Sequence, residues 1–125
     1  MNEARKLILL TNDDGYWAPG ITALQRRMAG SAEVVIVAPD REKSATSLAL
    51  TLHHPLRVKD IAAGVFAVDG TPADCVYLAM QKLLPRRPDL ILSGINNGPN
   101  LGQQDVAYSG TVAGAVQGTF FGIPS

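Results

Sequence analysis

Lys6-Leu7-Ile8-Leu9-Leu10-Thr11-Asn12-Asp13-Asp14-Gly15 is the stretch on which the fold turns. A short apolar run that breaks off into Asn, Asp and Gly predicts a strand buried on both faces, the kind found in parallel sheets. The same pattern recurs twice. Glu33 to Ala38 runs into Pro39-Asp40, and Pro88 to Ser93 runs into Gly94-Ile95-Asn96-Asn97-Gly98. Helices fit between the strands. Pro19 suits a first helical turn, with Ile21, Leu24 and Met28 on one face. Thr71-Pro72-Ala73-Asp74 reads as a cap, a first-turn proline and an early acid, ahead of a stripe formed by Val76, Ala79, Met80 and Leu83. After Gly110, residues Val112, Val116 and Phe120 predict a third stripe, which Gly114 and Gly118 weaken unless they permit close packing. Leu48, Leu50 and Leu52 alternate with smaller residues, and Val65 to Val68 is again strand-like, so an antiparallel excursion is expected within one α/β unit.

Composition bounds what such a unit can do. The chain has 125 residues, 46% of them hydrophobic, enough for one domain with one core. Eleven basic and eleven acidic residues cancel, so the basic excess of a protein that grips duplex nucleic acid is missing. No apolar run approaches the ~20 residues of a membrane span. The N-terminus carries no signal-peptide pattern, and a soluble cytoplasmic protein is expected. The single cysteine, Cys75, excludes an internal disulfide and a Cys-rich metal site and is expected to be buried as a small hydrophobe.

The polar residues gather where strands end, which is where open α/β sheets bind ligands. Asp13 and Asp14 leave the first strand together, and their repulsion would be relieved by a cation; a plain turn is the other reading. Asp40 and Ser44 follow the second strand, with Arg41 and Lys43 able to draw an anion, or the loop is simply solvated. Asn96 and Asn97 follow the third, where an amide oxygen can ligate a hard cation and Asn or Gly can equally serve a long turn. Tyr108-Ser109-Gly110-Thr111 opens the last helix and offers amide N–H groups and hydroxyls as a phosphate cradle, or only an N-cap at Ser109. Tyr16 and Trp17 could stack on a base or pack as a cover. His53 and His54 are adjacent in a strand-like run and point to opposite faces, which disfavours a shared metal. Carboxylate, hydroxyl and amide oxygens are hard donors, favouring Mg²⁺, Mn²⁺ or Ca²⁺ over Zn²⁺. A hard cation beside an anion cradle points to phosphate-ester chemistry. No Gly-x-Gly-x-x-Gly follows the first strand, which argues against a nicotinamide-dependent oxidoreductase.

Five blocks occur in order: Asn12-Asp13-Asp14-Gly15; Ala38-Pro39-Asp40-Arg41 with Ser44-Ala45-Thr46; Gly70-Thr71-Pro72-Ala73-Asp74-Cys75-Val76; Ser93-Gly94-Ile95-Asn96 with Gly98-Pro99-Asn100; and Tyr108-Ser109-Gly110-Thr111-Val112. Together they closely resemble the SurE family of stationary-phase survival proteins, metal-dependent 5′-nucleotidases. The resemblance implies a Rossmann-like, three-layer α/β core whose sheet is parallel apart from the antiparallel excursion. It implies one divalent cation, Mg²⁺ or Mn²⁺ with Ca²⁺ also possible, held by Asp13, Asp14, Ser44 and Asn96. Phosphate is then expected near Asn12, Asn96, Asn100 and the Ser109-Gly110-Thr111 turn, with Asp13 or Asp14 as proton acceptor. The implied reaction is hydrolysis of nucleoside 5′- and 3′-monophosphates. Family members form homodimers or tetramers through a C-terminal part, so residues 1–125 are expected to be the phosphatase core with that part absent. A metal- and nucleotide-binding module without turnover is the alternative.

Overall fold

The computed structural model describes residues 5–42, 55–97 and 109–125. Strands β1 (Leu7–Thr11), β2 (Glu33–Pro39), β3 (Val58–Ala62), β4 (Val65–Val68) and β5 (Leu90–Ser93) form one sheet in the order β3-β4-β2-β1-β5. β1 runs parallel to both β2 and β5, and β2 runs parallel to β4. Among the described residues the β3–β4 pair alone is antiparallel. The connections from β1 and back to β5 leave on opposite sides of β1, so the order reverses between β1 and β5. That reversal creates a crevice at their carboxyl ends.

Period-two alternation splits the strand residues between two layers. Leu7, Leu9, Val35 and Val37 join the core under α2 (Pro72–Leu78), the π-helical turn Ala79–Leu83 that continues it, and α3 (Gly110–Phe120). Ile8, Leu10, Ile36 and Ala38 face α1 (Pro19–Ala29), which contributes Ile21, Leu24 and Met28. Helices on both faces of a mostly parallel sheet make the three-layer α/β architecture that the family resemblance implies. Cys75, the single cysteine of the chain, is buried within the first layer. Among the described residues, no helix is long and apolar enough to cross a membrane.

The start of α2 follows from its residues. Thr71 Oγ1 accepts from the Asp74 N–H at 3.0 Å, and Asp74 Oδ2 accepts from the Thr71 N–H at 2.8 Å. This reciprocal capping box satisfies two N–H groups that the helix cannot.

The expected antiparallel excursion is present, and one helix face differs from expectation. The antiparallel partner of β4 is β3, an exposed edge strand whose Lys59 and Asp60 give it no apolar period; residues 48–54 lie outside the described residues. On α3 the buried face is Gly110, Thr111, Ala113, Gly114, Gln117 and Gly118, while Phe120 is 72% exposed. The small face wins because the helix lies directly on the sheet. A Cβ on Gly114 would sit 3.0 Å from Ser93 Oγ and from Thr11 Cγ2, and one on Gly118 would sit 2.8 Å from Ile91 Cδ1. Thr11 and Ser93 are register partners on β1 and β5, and their hydroxyls are buried beneath this contact with no hydrogen-bond partner among the described residues.

Candidate active site

The first loop is tied by its own side chain. Asn12 is 0% exposed; its Nδ2 donates to the Gly15 carbonyl at 2.8 Å, and its Oδ1 accepts from the Gly15 N–H at 3.1 Å. Gly15 takes φ +111°, a region that L side chains rarely adopt. Asn12 therefore sits beneath the carboxylates and holds the turn that presents them. The Tyr16 N–H then donates to the Pro39 carbonyl, fastening this loop to the end of β2.

Asp13 is 6% exposed. Burial pushes its carboxyl above the ordinary range, and the neighbouring Asp14 charge adds to the rise, against the lowering effect of the Thr111 hydroxyl bond. Thr111 Oγ1 donates to Asp13 Oδ1 at 2.8 Å and also lies 3.0 Å from Asn96 Oδ1. One hydroxyl proton can serve only one of those oxygens at a time. Three oxygens from the end of β1, the loop after β5 and the first turn of α3 thus converge around a single proton. Asp14 is half-buried beside them, and its Oδ2 accepts the Asn97 N–H at 3.0 Å.

Next to this cluster opens a cleft of about 440 Å³, with Asp14, Asn96, Asn97 and Glu42 among its polar residues and Trp17 and Ile95 among its apolar ones. Ala18, Pro19 and Gly20 at the start of α1 also line it. Among the described residues no side chain caps that helix, and the positive end of its dipole lies beside the cleft.

Asp13, Asn96 and Thr111 are thus brought together, with Asp14 alongside. Ser109 is buried as the N-cap of α3, accepting from the Val112 N–H at 3.2 Å, and Gly110 is buried behind it. Ser44 and Asn100, expected as metal and phosphate contacts, lie outside the described residues, as do His53, His54 and Tyr108. Sequence reasoning missed the Asn97 backbone donor, Ile95 and the α1 terminus. Only the last had a signal: Pro19 opens a helix four residues beyond the acidic loop, at the carboxyl edge of the sheet.

The chain can now be set beside known proteins. The family model described as Survival protein SurE matches residues 8–125. A 5′-nucleotidase SurE from Citrifermentans bemidjiense is 59% identical over 118 residues, covering 94% of this chain and 47% of its own length. The one from Sorangium cellulosum is 57% identical over 124 residues, covering 97% and 48%. The crystal structure of the SurE protein from Aquifex aeolicus superposes with a TM-score of 0.90 at 51% identity, over 95% of this chain and 48% of that one. The chain spans about half the length of these relatives. With the family model matched over residues 8–125 and the fold shared at that identity, the chain belongs to the SurE family.

Proposed function

We propose that the cleft is the catalytic site of a divalent-metal-dependent nucleotidase that converts nucleoside 5′- and 3′-monophosphates to nucleoside and phosphate. The observation that carries this reading is the convergence of Asp13 Oδ1, Asn96 Oδ1 and Thr111 Oγ1 around one proton, beside a second carboxylate. An all-oxygen set with two acids fits Mg²⁺ or Mn²⁺, and Ca²⁺ by the same donors. Asp13, Asp14 and Asn96 would hold the cation, with Ser44 as the fourth ligand that the family resemblance implies. A cation bound there supplies Lewis-acid polarisation of a phosphoryl oxygen and a lowered pKa for water.

The residues of the chain divide the remaining work. The start of α3 at Ser109-Gly110-Thr111, beside Asp13 and Asn96, would meet the phosphate dianion with the positive end of its dipole and its first N–H groups. Asp14 lines the cleft whereas Asp13 is committed to Thr111, so Asp14 is the better proton acceptor. Its Oδ2 is held by the Asn97 N–H, and its Oδ1 takes the proton from the attacking water. The water oxygen bonds to phosphorus, the ester P–O bond breaks, and the leaving nucleoside oxygen takes up the proton that Asp14 received, which returns Asp14 to its charged form.

The test is a phosphate-release assay with AMP across Mg²⁺, Mn²⁺ and Ca²⁺, on this chain beside a full-length family member. Metal-dependent release supports the reading. Tight metal-dependent nucleotide binding without release assigns a binding module instead.

Thr111 provides a finer check. Thr111→Val removes the hydroxyl bond that lowers the Asp13 pKa, leaving a buried carboxylate without its donor. Metal affinity should fall roughly 10- to 100-fold, the range for losing a partner that orients a ligand. Thr111→Ser should retain it. Calorimetric titration with Mn²⁺ reads both, and equal affinities in Thr111→Val and the parent would detach Thr111 from the metal site.

A further inference from the structure

Trp17 and Ile95 are large apolar residues in a position that packing does not explain. They are 54% and 57% exposed, yet both line the cleft that holds Asp14 and Asn96. Each stands close in sequence to an acid or amide of the polar end: Trp17 is three residues beyond Asp14, and Ile95 precedes Asn96. The indole is fixed from two sides. A Cβ on Gly15 would lie 2.8 Å from two of its ring carbons, so the ring covers a glycine that only a side-chain-free residue allows. Tyr16 meets it edge-on, with centroids 5.1 Å apart and planes at 84°. Tyr16 is itself packed on the core beside α1. A held aromatic ring that remains half-exposed within a polar-ended cleft suits a ligand with an anionic head and a flat apolar tail.

We propose that Trp17 is the nucleobase platform of this site, with the base stacking on the indole across the cleft from Ile95 while the phosphate lies at the Asp14–Asn96 end. The proposal rests on the nucleotidase reading and adds to it the residue that distinguishes a nucleotide from a simple phosphate ester. A π-face accepts any base, so Trp17 gives preference by ring area, purine over pyrimidine, rather than by base-edge hydrogen bonding.

Two measurements test it. The first compares kcat/KM for AMP with that for ribose 5-phosphate, which keeps the phosphate and sugar and lacks the base. Trp17→Ala should lower the AMP-to-ribose-5-phosphate ratio about 10- to 100-fold, as expected for the loss of one base–aromatic stack, and Trp17→Phe should restore most of it. The second uses the chain's single tryptophan: adenosine, which has no phosphate to release, should quench its emission, and ribose should not. An unchanged substrate ratio in Trp17→Ala, or emission indifferent to adenosine, overturns the platform. The failures are separable. If no phosphate ester is hydrolysed, the nucleotidase reading falls, and adenosine quenching still decides whether Trp17 stacks a base.

Discussion

Asp14→Asn should lower Mn²⁺-dependent release of phosphate from AMP by roughly a thousandfold or more, within the range set by losing a positioned proton acceptor. The substitution keeps shape and removes charge. Asn retains a side-chain oxygen for the Asn97 N–H, so the loop between β5 and α3 keeps its anchor. What disappears is one of two adjacent negative charges and, in the proposed mechanism, the oxygen that receives the water proton. Asp14 also contributes to the raised pKa of Asp13, so its neutralisation relieves repulsion, and the metal-free fold should be no less stable. Loss of activity with an undiminished melting temperature is therefore the expected pair of results. Unchanged turnover would remove Asp14 from the site.

The second large effect is structural, and its sign runs against helix propensity. Gly20 lies in the first turn of α1, where alanine would ordinarily favour the helix by up to about 1 kcal/mol. Here a Cβ would fall on the carbonyl oxygen of Ile95. Both partners are main chain, so neither can rotate away, and the helix start and the Ile95–Asn97 loop would have to separate. Gly20→Ala is expected to destabilise the fold by about 2–3 kcal/mol, in the range of overpacked cores, or roughly 10 °C in Tm. It should also reduce activity, because the same loop carries Asn96. Gly30→Ala is the matched control. Gly30 has right-handed φ −70° and, among the described residues, nothing within 4 Å of its Cβ position, so alanine there should be neutral or stabilising by up to about 1 kcal/mol. Thermal denaturation of the two variants checks the argument, and similar Tm values would refute the close approach at Gly20.

These glycines also mark the limit of what could be read from the residues. The strands β1, β2 and β5 were legible because each is an apolar run buried on both faces and ended by Asn, Asp, Gly or Pro. The Thr71–Asp74 box was legible because its two hydrogen bonds lie within three residues. The carboxylates were legible for a similar reason, as consecutive acids at a strand end. β3 was not, since a solvent-exposed edge carries no period. The face of α3 misled because hydrophobicity favours Val112, Val116 and Phe120, while the distance to Thr11, Ser93 and Ile91 admits only small side chains. The cleft walls at Pro19, Ile95 and Asn97 depend on how α1 and the loop after β5 meet, and no local pattern records that meeting.

The hydrogen bonds that close the site join residues very far apart along the chain: Thr111 and Asp13 are separated by 98 positions, and Asn97 and Asp14 by 83. β1 lies between two neighbours that both come later, β2 from Glu33 and β5 from Leu90. During synthesis from the N-terminus, the acidic pair therefore emerges long before the groups that will hold it. The pair stays solvated until β5 docks and α3 closes over Thr11 and Ser93. Contacts of such long range form slowly, because the closure entropy of the intervening chain comes before any of the packing. The cleft is in this sense a record of completed folding: no early hairpin or helix–strand unit contains it, and a partly folded chain has the acids without the site.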